Sequence, residues 1–390
     1  MSDASKSAHP LDEAVRAALA GVDDPEIGRP ITELQMVESV TFDGDVEHAS
    51  VHIHVLLTVA GCPMREEITR RVTAAVEAVP GVDGVEVSLG VMTDEQRKAL
   101  ATHVRGDRPE KEIPFARPGS LTRVYAVASG KGGVGKSTVT TNLATAMAAD
   151  GLRVGVLDAD IYGFSVPRML GVTGRPTQVE QMILPPQAHG IRVISIGMFT
   201  RDNAPVVWRG PMLHRALQQF LADVHWGDLD ILLLDLPPGT GDIAISVAQL
   251  LPSAEIVVVT TPQLAAHEVA ERAGAIATQT HQRLAGVVEN MAGLTLPDGT
   301  VLDVFGSGGG SAAAAGLSRT MGHDVPLLGS IPLDPRLREG ADAGQPLVLV
   351  DPESPAAVAI RDVARALVGK PRGLAGMSLG ISPTRKPPAA

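Results

Sequence analysis

The chain has 390 residues, enough for two domains, and its content of 44% apolar and 20% charged residues is typical of a soluble globular protein. Its net charge of −11 argues against nucleic-acid binding, because contact with a phosphate backbone requires clustered cations. No apolar run reaches transmembrane length and no apolar signal region follows the first residues, so we expect a cytoplasmic protein without membrane attachment. A single cysteine, Cys62, excludes an intrachain disulfide and a metal site built only from this chain's thiolates.

The first 104 residues predict a small α+β domain. Apolar residues at helical spacing predict helices over 11–20 and 66–79, and β-prone runs predict strands over 47–59 and 85–89. Residues 105–120 are charged and rich in proline, which is typical of a linker. Residues 372–390 are rich in Gly, Ser, Pro and basic residues, and we interpret them as a disordered tail.

Residues 121–371 alternate strand and helix patterns. Near-continuous runs of Val, Ile and Leu suit strands that are buried on both faces, which predicts an α/β fold with a doubly wound, mostly parallel sheet. The predicted strands are Val124–Ala128, Val154–Leu157, Val193–Ile196, Ile231–Leu234, Ile256–Val259, Gly286–Val288 and Leu327–Leu328.

A glycine-rich stretch between the first of these strands and a helical pattern predicts a phosphate-binding loop. It consists of Gly130, Lys131, Gly132, Gly133, Val134, Gly135, Lys136, Ser137 and Thr138. Backbone N–H groups in such a turn, together with the positive end of the following helix, bind anions. We expect Lys136 to reach the β- and γ-phosphates of ATP and the Ser137 hydroxyl to ligate Mg²⁺.

A second lysine, Lys131, directly follows the first glycine. Lys136 already contacts the bound nucleotide, so we expect Lys131 to reach a nucleotide held by a second copy of the chain, as an arginine finger does in trans. The stretch Lys-Gly-Gly-Val-Gly-Lys-Ser-Thr resembles the deviant Walker A loop of the MinD/Mrp/nitrogenase-iron-protein group of dimeric ATPases. This resemblance implies a homodimer with two nucleotides at its interface.

Two other strands deliver carboxylates to the edge of the sheet where ligands bind in open α/β folds. Asp158 and Asp160 follow one strand; a carboxylate there can orient an attacking water, while a capping pair at the start of a loop is the alternative. Asp235 ends a buried strand in the manner of a Walker B acid and is expected to hold Mg²⁺ through water. The loop 236–242, with two prolines and two glycines, suits a segment that senses the γ-phosphate.

Longer matches make the resemblance more specific. Residues 158–167 and 237–242 resemble switch I and switch II of the Mrp-type iron–sulfur carrier ATPases, as does Trp208-Arg209-Gly210-Pro211-Met212, although Phe164 replaces the usual proline. The match covers roughly residues 125–350. By this resemblance Asp160 orients the attacking water, Asn290 of Glu-Asn-Met reads the adenine base, and Pro332 flanks the base. From the residues alone, a turn after the strand Gly286–Val288 is the alternative for Asn290.

The cluster-binding part of the Mrp pattern is incomplete. Most members carry Cys-x-x-Cys shortly after Glu-Asn-Met, and the pairs from two subunits bridge a [4Fe–4S] cluster. Leu296 and Gly299 stand about where these cysteines belong, and neither side chain binds iron. Cys62 lies at a predicted helix start, where the helix dipole stabilises a thiolate and favours a role as a ligand. The alternative is a structural role for Cys62, as a small, half-buried side chain at the start of the helix.

With Asp24-Pro25-Glu26, the segment around Cys62 resembles the small Fe–S-assembly domain that precedes the ATPase in many bacterial Mrp proteins. His52 and His54 alternate on the preceding strand, and we interpret them as surface or core histidines rather than metal ligands. The resemblances imply an ATP- and Mg²⁺-dependent homodimer that delivers clusters to apo iron–sulfur proteins or assembly factors, with Cys62 as a candidate cluster ligand. The alternative is a regulatory or positioning ATPase of the MinD/ParA group without a cluster.

Overall fold

The structure is a computed structural model that describes residues 9–58, 64–105, 112–161, 163–199, 210–239, 241–263, 274–275 and 277–369. Several sequence-based predictions lie outside these residues. They concern Cys62, most of the linker, the Trp208-Arg209 pair, Thr240 of the second switch segment, and the C-terminal tail.

The N-terminal elements form a three-stranded sheet covered on one face by helices. The elements are α1 (Asp12–Ala20), β1 (Val37–Gly44), β2 (Ala49–Leu57), α2 (Arg65–Glu77), β3 (Val82–Val91) and α3 (Asp94–Arg105). β2 lies in the centre, antiparallel to β1 and parallel to β3. Val51, Ile53 and Val55 of β2 are buried, whereas the alternating His52 and His54 are half-buried, as the two-residue period of a half-covered sheet requires.

The sequence patterns missed β1 and α3. A bulge between Val37 and Ser39 interrupts the alternation of β1, so the strand does not show a clean two-residue period. α3 contributes only Leu100 and Val104 to the core, and its remaining residues are mostly polar. Such a sparse apolar stripe is a weak signal for a helix.

The larger sheet is built from eight of the described strands. In chain order the remaining strands are β4 (Arg123–Ala128), β5 (Val154–Asp158), β6 (Thr177–Val179), β7 (Met182–Leu184), β8 (Gln187–Ala188), β9 (Ile191–Ser195), β10 (Ile231–Asp235), β11 (Glu255–Thr260), β12 (Leu284–Ala292), β13 (Leu294–Thr295), β14 (Val301–Leu302) and β15 (Leu327–Pro332). The order in the large sheet is β15-β12-β11-β4-β10-β5-β9-β8, and every pair is parallel except β8 with β9.

Helices cover both faces of this sheet, which confirms the predicted doubly wound α/β fold. They are α4 (Lys136–Ala149), α5 (Val166–Met169), α6 (Gly210–Ala222), α7 (Asp242–Leu250), α8 (Gly309–Met321), α9 (Pro335–Ala343), α10 (Leu347–Val350) and α11 (Pro355–Val368). One hydrophobic core packs α6, α7 and α8 against one face of the sheet. A second core packs α4, α5, α9, α10 and α11 against the other face. Because the strands are buried on both sides, their sequences read as continuous apolar runs.

β12 is longer than the sequence predicted. It extends from Leu284 to Ala292, so Glu289, Asn290 and Met291 belong to the strand and do not follow it as predicted. The prediction ended the strand at Val288 because polar residues begin there. Parallel pairing of β12 with β15 continues to Pro332 and supplies the backbone partners that keep the polar residues in the strand.

An antiparallel hairpin of β6 and β7 connects the larger domain to the smaller one. Its side chains Val179, Met182 and Leu184 are buried in the core of the N-terminal domain. The Asp24-Pro25-Glu26 turn lies at the same junction: the Pro25 carbonyl accepts a hydrogen bond from Gln187, and the Glu26 carboxylate accepts one from Thr177. This turn therefore contributes to docking between the two domains.

Candidate nucleotide site

The glycine-rich loop joins β4 at the centre of the large sheet to the start of α4. Gly133 and Gly135 both have φ of +78°, a left-handed conformation that strongly favours glycine. A side chain at Gly135 would also collide with the amide of Asn290. The loop encloses a cavity of about 200 Å³ lined by residues 132–138 together with Ser129, Asp160, Ser165, Met169 and Pro238. The sequence therefore places backbone N–H groups and the α4 terminus around one small polar space.

Asp235 ends β10, the strand beside β4, and its side chain is fully buried beneath the loop. The Lys136 ammonium lies 2.7 Å from its Oδ1, and Ser137 donates a hydrogen bond of 2.6 Å to its Oδ2. Thr140 donates to Oδ1 at 2.8 Å. Thr140 was not predicted as a site residue from the sequence, although it lies one helical turn after Lys136 and therefore on the same side of α4.

Asp158 is the other buried carboxylate of this edge and has no access to solvent. Its oxygens accept hydrogen bonds from the backbone N–H groups of Asp160, Ser165 and Val166 and from the Ser195 hydroxyl. Burial is the main cause that raises the pKa of Asp158 to about 7, and the negative charge of Asp235 adds to it. Asp158 thus organises the loop that carries Asp160, a role that its spacing alone left open.

The raised pKa of Asp158 predicts a pH-dependent contribution to folding. The folded protein retains the Asp158 proton better than the unfolded chain, so this contribution is fully present below the unfolded pKa of about 4 and is lost as pH rises through about 7. Asp158→Asn lacks this titration. In urea unfolding without Mg²⁺ or nucleotide, we expect wild type to be more stable than Asp158→Asn by a larger margin at pH 5 than at pH 8. An equal or larger margin at pH 8 would contradict this assignment.

Asp160 lines the phosphate cavity together with the glycine loop. It is only 9% exposed, and its Oδ1 accepts a hydrogen bond of 3.0 Å from the Gly163 N–H. The structure therefore brings Asp160, Lys136 and Ser137 to one cavity.

Lys131 lies outside that cavity. Its ammonium contacts the side-chain oxygen of Gln263, which follows β11. The side chain therefore contacts the segment after β11 and does not line the cavity of its own chain. Gln263 could not be predicted from the sequence, because a contact across 132 residues leaves no local pattern.

A second cavity of about 440 Å³ adjoins the phosphate cavity and contains the predicted base-binding residues. Asn290 and Pro332 line it, and Gly135, Thr138 and Met169 line both cavities. The Asn290 amide donates a hydrogen bond of 2.9 Å to the Val134 carbonyl and so links β12 to the glycine loop. The sequence missed several lining residues: Met291, Phe305 and a group on α9 that comprises Leu337, Arg338, Ala341 and Asp342.

The positions expected for a Cys-x-x-Cys pair lie at the tip of the β13–β14 hairpin. The Gly299 N–H donates to the Leu296 carbonyl, and Gly299 has φ of +85°.

The two histidines of β2 contact polar side chains of the N-terminal sheet. His52 contacts Asp43 and Glu86, and His54 contacts Ser88. No group of three His, Cys, Asp or Glu residues within the described part of the chain has the arrangement of a metal site.

Comparisons with known proteins agree with this geometry. The sequence model of the NUBPL iron-transfer P-loop NTPase family matches residues 120–368, and that of the iron–sulfur cluster assembly protein family matches residues 12–89. An iron–sulfur cluster carrier protein of Mycobacterium tuberculosis (strain ATCC 25618 / H37Rv) is 66% identical over 376 residues, which cover 96% of this chain and 98% of the relative. The chain belongs to the iron–sulfur cluster carrier protein family. The predicted resemblance is confirmed.

More distant family members show the same relationship. The iron–sulfur cluster carrier protein of Deinococcus radiodurans is 44% identical over 363 residues, covering 92% of this chain and 95% of the relative. Among solved structures, a nucleotide-binding protein from Archaeoglobus fulgidus in complex with ADP is 36% identical, with a TM-score of 0.51, and the match covers 61% of this chain and 93% of that one. The chain described here is therefore a P-loop NTPase preceded by a small assembly-type domain.

Among the residues that the structure describes, no helix is long and apolar enough to span a bilayer.

Proposed function

We propose that this chain is a cytoplasmic, homodimeric ATPase that carries iron–sulfur clusters to apoproteins or assembly factors. The observation that carries the ATPase part is the convergence of Lys136, Ser137 and Asp160 on one cavity, with the buried Asp235 bonded to Lys136 and Ser137 beneath it and the base pocket directly adjoining it. The domains that we propose are an assembly-type domain over 1–104, a linker over 105–120, the ATPase over 121–371 and a tail over 372–390.

The glycine loop binds the phosphates of ATP through its backbone N–H groups and the N-terminal end of α4. Lys136 neutralises charge on the β- and γ-phosphates, for which its ammonium turns from Asp235 towards the cavity. The hydroxyl of Ser137 and the carboxylate of Asp235 are hard oxygen donors that suit Mg²⁺. When bound there, Mg²⁺ supplies positive charge to the phosphate oxygens.

Asp160 orients the water that attacks the γ-phosphate, because its carboxylate is held by Gly163 and faces the phosphate cavity. Lys131 reaches the nucleotide of the second subunit, where it stabilises the charge of the transition state. Its contact with Gln263 supports this role, because the side chain does not line its own cavity. Asn290 and Pro332 hold the adenine base in the adjoining pocket.

The cluster is the cargo of this proposal, and its ligands differ from the usual family pattern. A homodimer offers only two thiolates, one Cys62 from each subunit, whereas a [4Fe–4S] cluster takes four thiolate ligands. We therefore expect a labile cluster that depends on Cys62 and on an added thiol or partner ligand. The closest alternative is a regulatory or positioning ATPase without a cluster, which the absence of cysteine at 296 and 299 favours.

Anaerobic reconstitution tests the cargo. We expect substoichiometric iron and sulfide per dimer in the wild type and almost none in Cys62→Ser, with the visible absorption of the cluster as a second measurement. The double variant Leu296→Cys, Gly299→Cys restores Cys-x-x-Cys at the hairpin tip and is the positive control. A side chain at Gly299 has free space but adopts a left-handed φ, at a cost of about 1 kcal/mol.

Two results would contradict the assignment. A stable cluster in Cys62→Ser would show that Cys62 is not the ligand. Failure of the wild type to load any iron, under conditions in which the double variant loads, would favour the regulatory ATPase.

A further inference from the structure

Three consecutive residues of β12, Glu289, Asn290 and Met291, contact different parts of the molecule. Side chains of a strand alternate between its two faces, so Glu289 and Asn290 point in opposite directions. Asn290 points to the glycine loop, where it donates to Val134. Glu289 points to the other face, towards the start of α8. One strand therefore links the nucleotide site to a helix on the opposite side of the sheet.

The Glu289 carboxylate is 7% exposed and has no role in the proposed chemistry. Its Oε1 accepts a hydrogen bond of 2.7 Å from the Gly310 N–H, and its Oε2 accepts one of 2.8 Å from the Ser330 hydroxyl on β15. The negative charge lies at the positive end of α8, which is a favourable position for a carboxylate. Glu289 thus joins β12, β15 and α8.

The first turn of α8 docks so closely that it requires glycine. The Gly309 N–H donates to the Pro262 carbonyl at 3.0 Å, and a Cβ at Gly309 would lie 2.5 Å from Pro262 and from the Thr261 oxygen. A Cβ at Gly310 would lie 2.6 Å from the Cβ of Glu289. Contacts this short are not tolerated between ordinary side chains, so the start of α8 has one position against the sheet.

The segment between β12 and α8 contains the β13–β14 hairpin, and residues that flank the hairpin on both sides line the base pocket. Met291, near the end of β12, has φ of +61°, which is rare for a residue other than glycine, and it lies where the pairing of β12 with β15 is irregular. Phe305 lies on the other side of the hairpin, shortly before Gly309. Strain and strand irregularities of this kind concentrate beside functional sites.

The hairpin itself is largely exposed and presents apolar side chains to solvent. Val301, Leu302 and Val304 are 59%, 43% and 54% exposed. Its two strands are only two residues each, so they provide little rigidity of their own. The position of the hairpin therefore depends on its two anchored ends.

We propose that Glu289 is a positioning residue that couples occupancy of the base pocket to the β13–β14 hairpin. A base in the pocket contacts Met291 and Phe305 at the two ends of the segment. Glu289 holds the end beside Phe305 by fixing the start of α8, so contact with the base restrains the whole hairpin. Without the carboxylate, that end is released from the sheet and the restraint is lost. The inference rests on the proposed nucleotide site.

Hydrogen exchange of the full chain, with and without ADP, tests the coupling. In the wild type we expect ADP to slow exchange in the glycine loop, over 130–138, and at least about fivefold in the hairpin, over 293–305. In Glu289→Leu, which removes both acceptors, the glycine loop should still respond and the hairpin should not. Affinity for ADP should fall by no more than about the factor of hairpin protection that is lost, because coupling is reciprocal and Glu289 does not line either cavity.

Two further variants separate coupling from a general loss of stability. Glu289→Gln should restore most of the hairpin response, because its oxygen accepts from Gly310 and its amide donates to the Ser330 hydroxyl. Glu255→Leu, at the other end of the neighbouring strand β11, is the matched control and should respond like the wild type. If Glu289→Leu does not fold, Ser330→Ala removes one of the two contacts and should reduce the hairpin response.

The outcomes distinguish this inference from the proposed function. Slowing in the glycine loop of the wild type without slowing in the hairpin would overturn the coupling and leave the nucleotide site intact. A hairpin response that persists in Glu289→Leu, or that is undiminished in Ser330→Ala where that variant replaces it, would also overturn it. No slowing in either segment of the wild type would contradict nucleotide binding and this inference with it.

Discussion

Lys136→Ala is expected to reduce ATP hydrolysis by about 10³-fold or more and to weaken nucleotide binding. Lys136 is the buried cation of the phosphate cavity, and its removal leaves the β- and γ-phosphates without that charge. Phosphate release and titration with a fluorescent nucleotide measure the two effects. Lys98→Ala, at an exposed position on α3, is the matched control and should behave as the wild type.

The same substitution also affects folding. Lys136 is the charged partner of Asp235, which is fully buried, so its loss leaves a buried carboxylate close to Asp158. Breaking a buried pair in this way costs roughly 3 kcal/mol. The stability of Lys136→Ala must therefore be measured by urea unfolding alongside its rate of ATP hydrolysis. The rate is then expressed per folded molecule before it is compared with the wild type. Turnover at the wild-type rate by folded Lys136→Ala would contradict the site.

Lys131→Ala is expected to bind nucleotide normally but to hydrolyse it about a thousandfold more slowly. Lys131 contacts Gln263 and does not line its own cavity, and we propose that its charge serves the site of the other subunit. The partner variant is Asp160→Asn, which retains an acceptor for the Gly163 N–H and removes the negative charge. Each variant alone should be nearly inactive.

Mixing the two variants separates action in trans from action in cis. In a mixed dimer, the site with intact Asp160 receives intact Lys131 from the other subunit, while the second site lacks both. Half of the dimers are mixed after complete exchange and each has one working site, so activity should recover to about a quarter of the wild type. Exchange is verified by co-purification of differently tagged subunits. No recovery after verified exchange would show that Lys131 acts within its own chain.

The local parts of the site could be predicted because they are continuous in sequence. The glycine loop lies between a β-prone run and a helical pattern, and its left-handed glycines are needed wherever a strand turns so tightly into a helix. Asp235 was predicted for a similar reason, because an acid that directly follows four apolar residues lies at the end of a buried strand.

The partners of these residues could not be predicted, because sheet order brings them together. Asp235 contacts Lys136, Ser137 and Thr140 only because β10 lies between β4 and β5, and the chain reaches β10 after both. Asn290 and Val134 are 156 residues apart in sequence. Residues on separate strands share no periodicity, so nothing in the linear pattern identifies such pairs.

At the end of β12 and in the N-terminal domain, the sequence patterns did not predict the secondary structure correctly. Polar residues after Val288 suggested a turn, but pairing with β15 keeps Glu289 and Asn290 in the strand. β1 was not predicted because a bulge breaks the alternation of its side chains. α3 was not predicted because few of its residues are apolar. In these places tertiary contacts override the local preference of the chain.

Sequence alone was sufficient for the fold class, the glycine-rich turn between β4 and α4 and the family, because each depends on residue patterns that are continuous in sequence. It was also sufficient to show that cysteine is missing at 296 and 299. Only the tertiary structure decided that Asp158 organises the loop carrying Asp160, that the β6–β7 hairpin completes the N-terminal core, and that Glu289 holds the start of α8. The physical reason is that buried carboxylates and apolar side chains must find partners, and the packing of distant segments determines which partners are near.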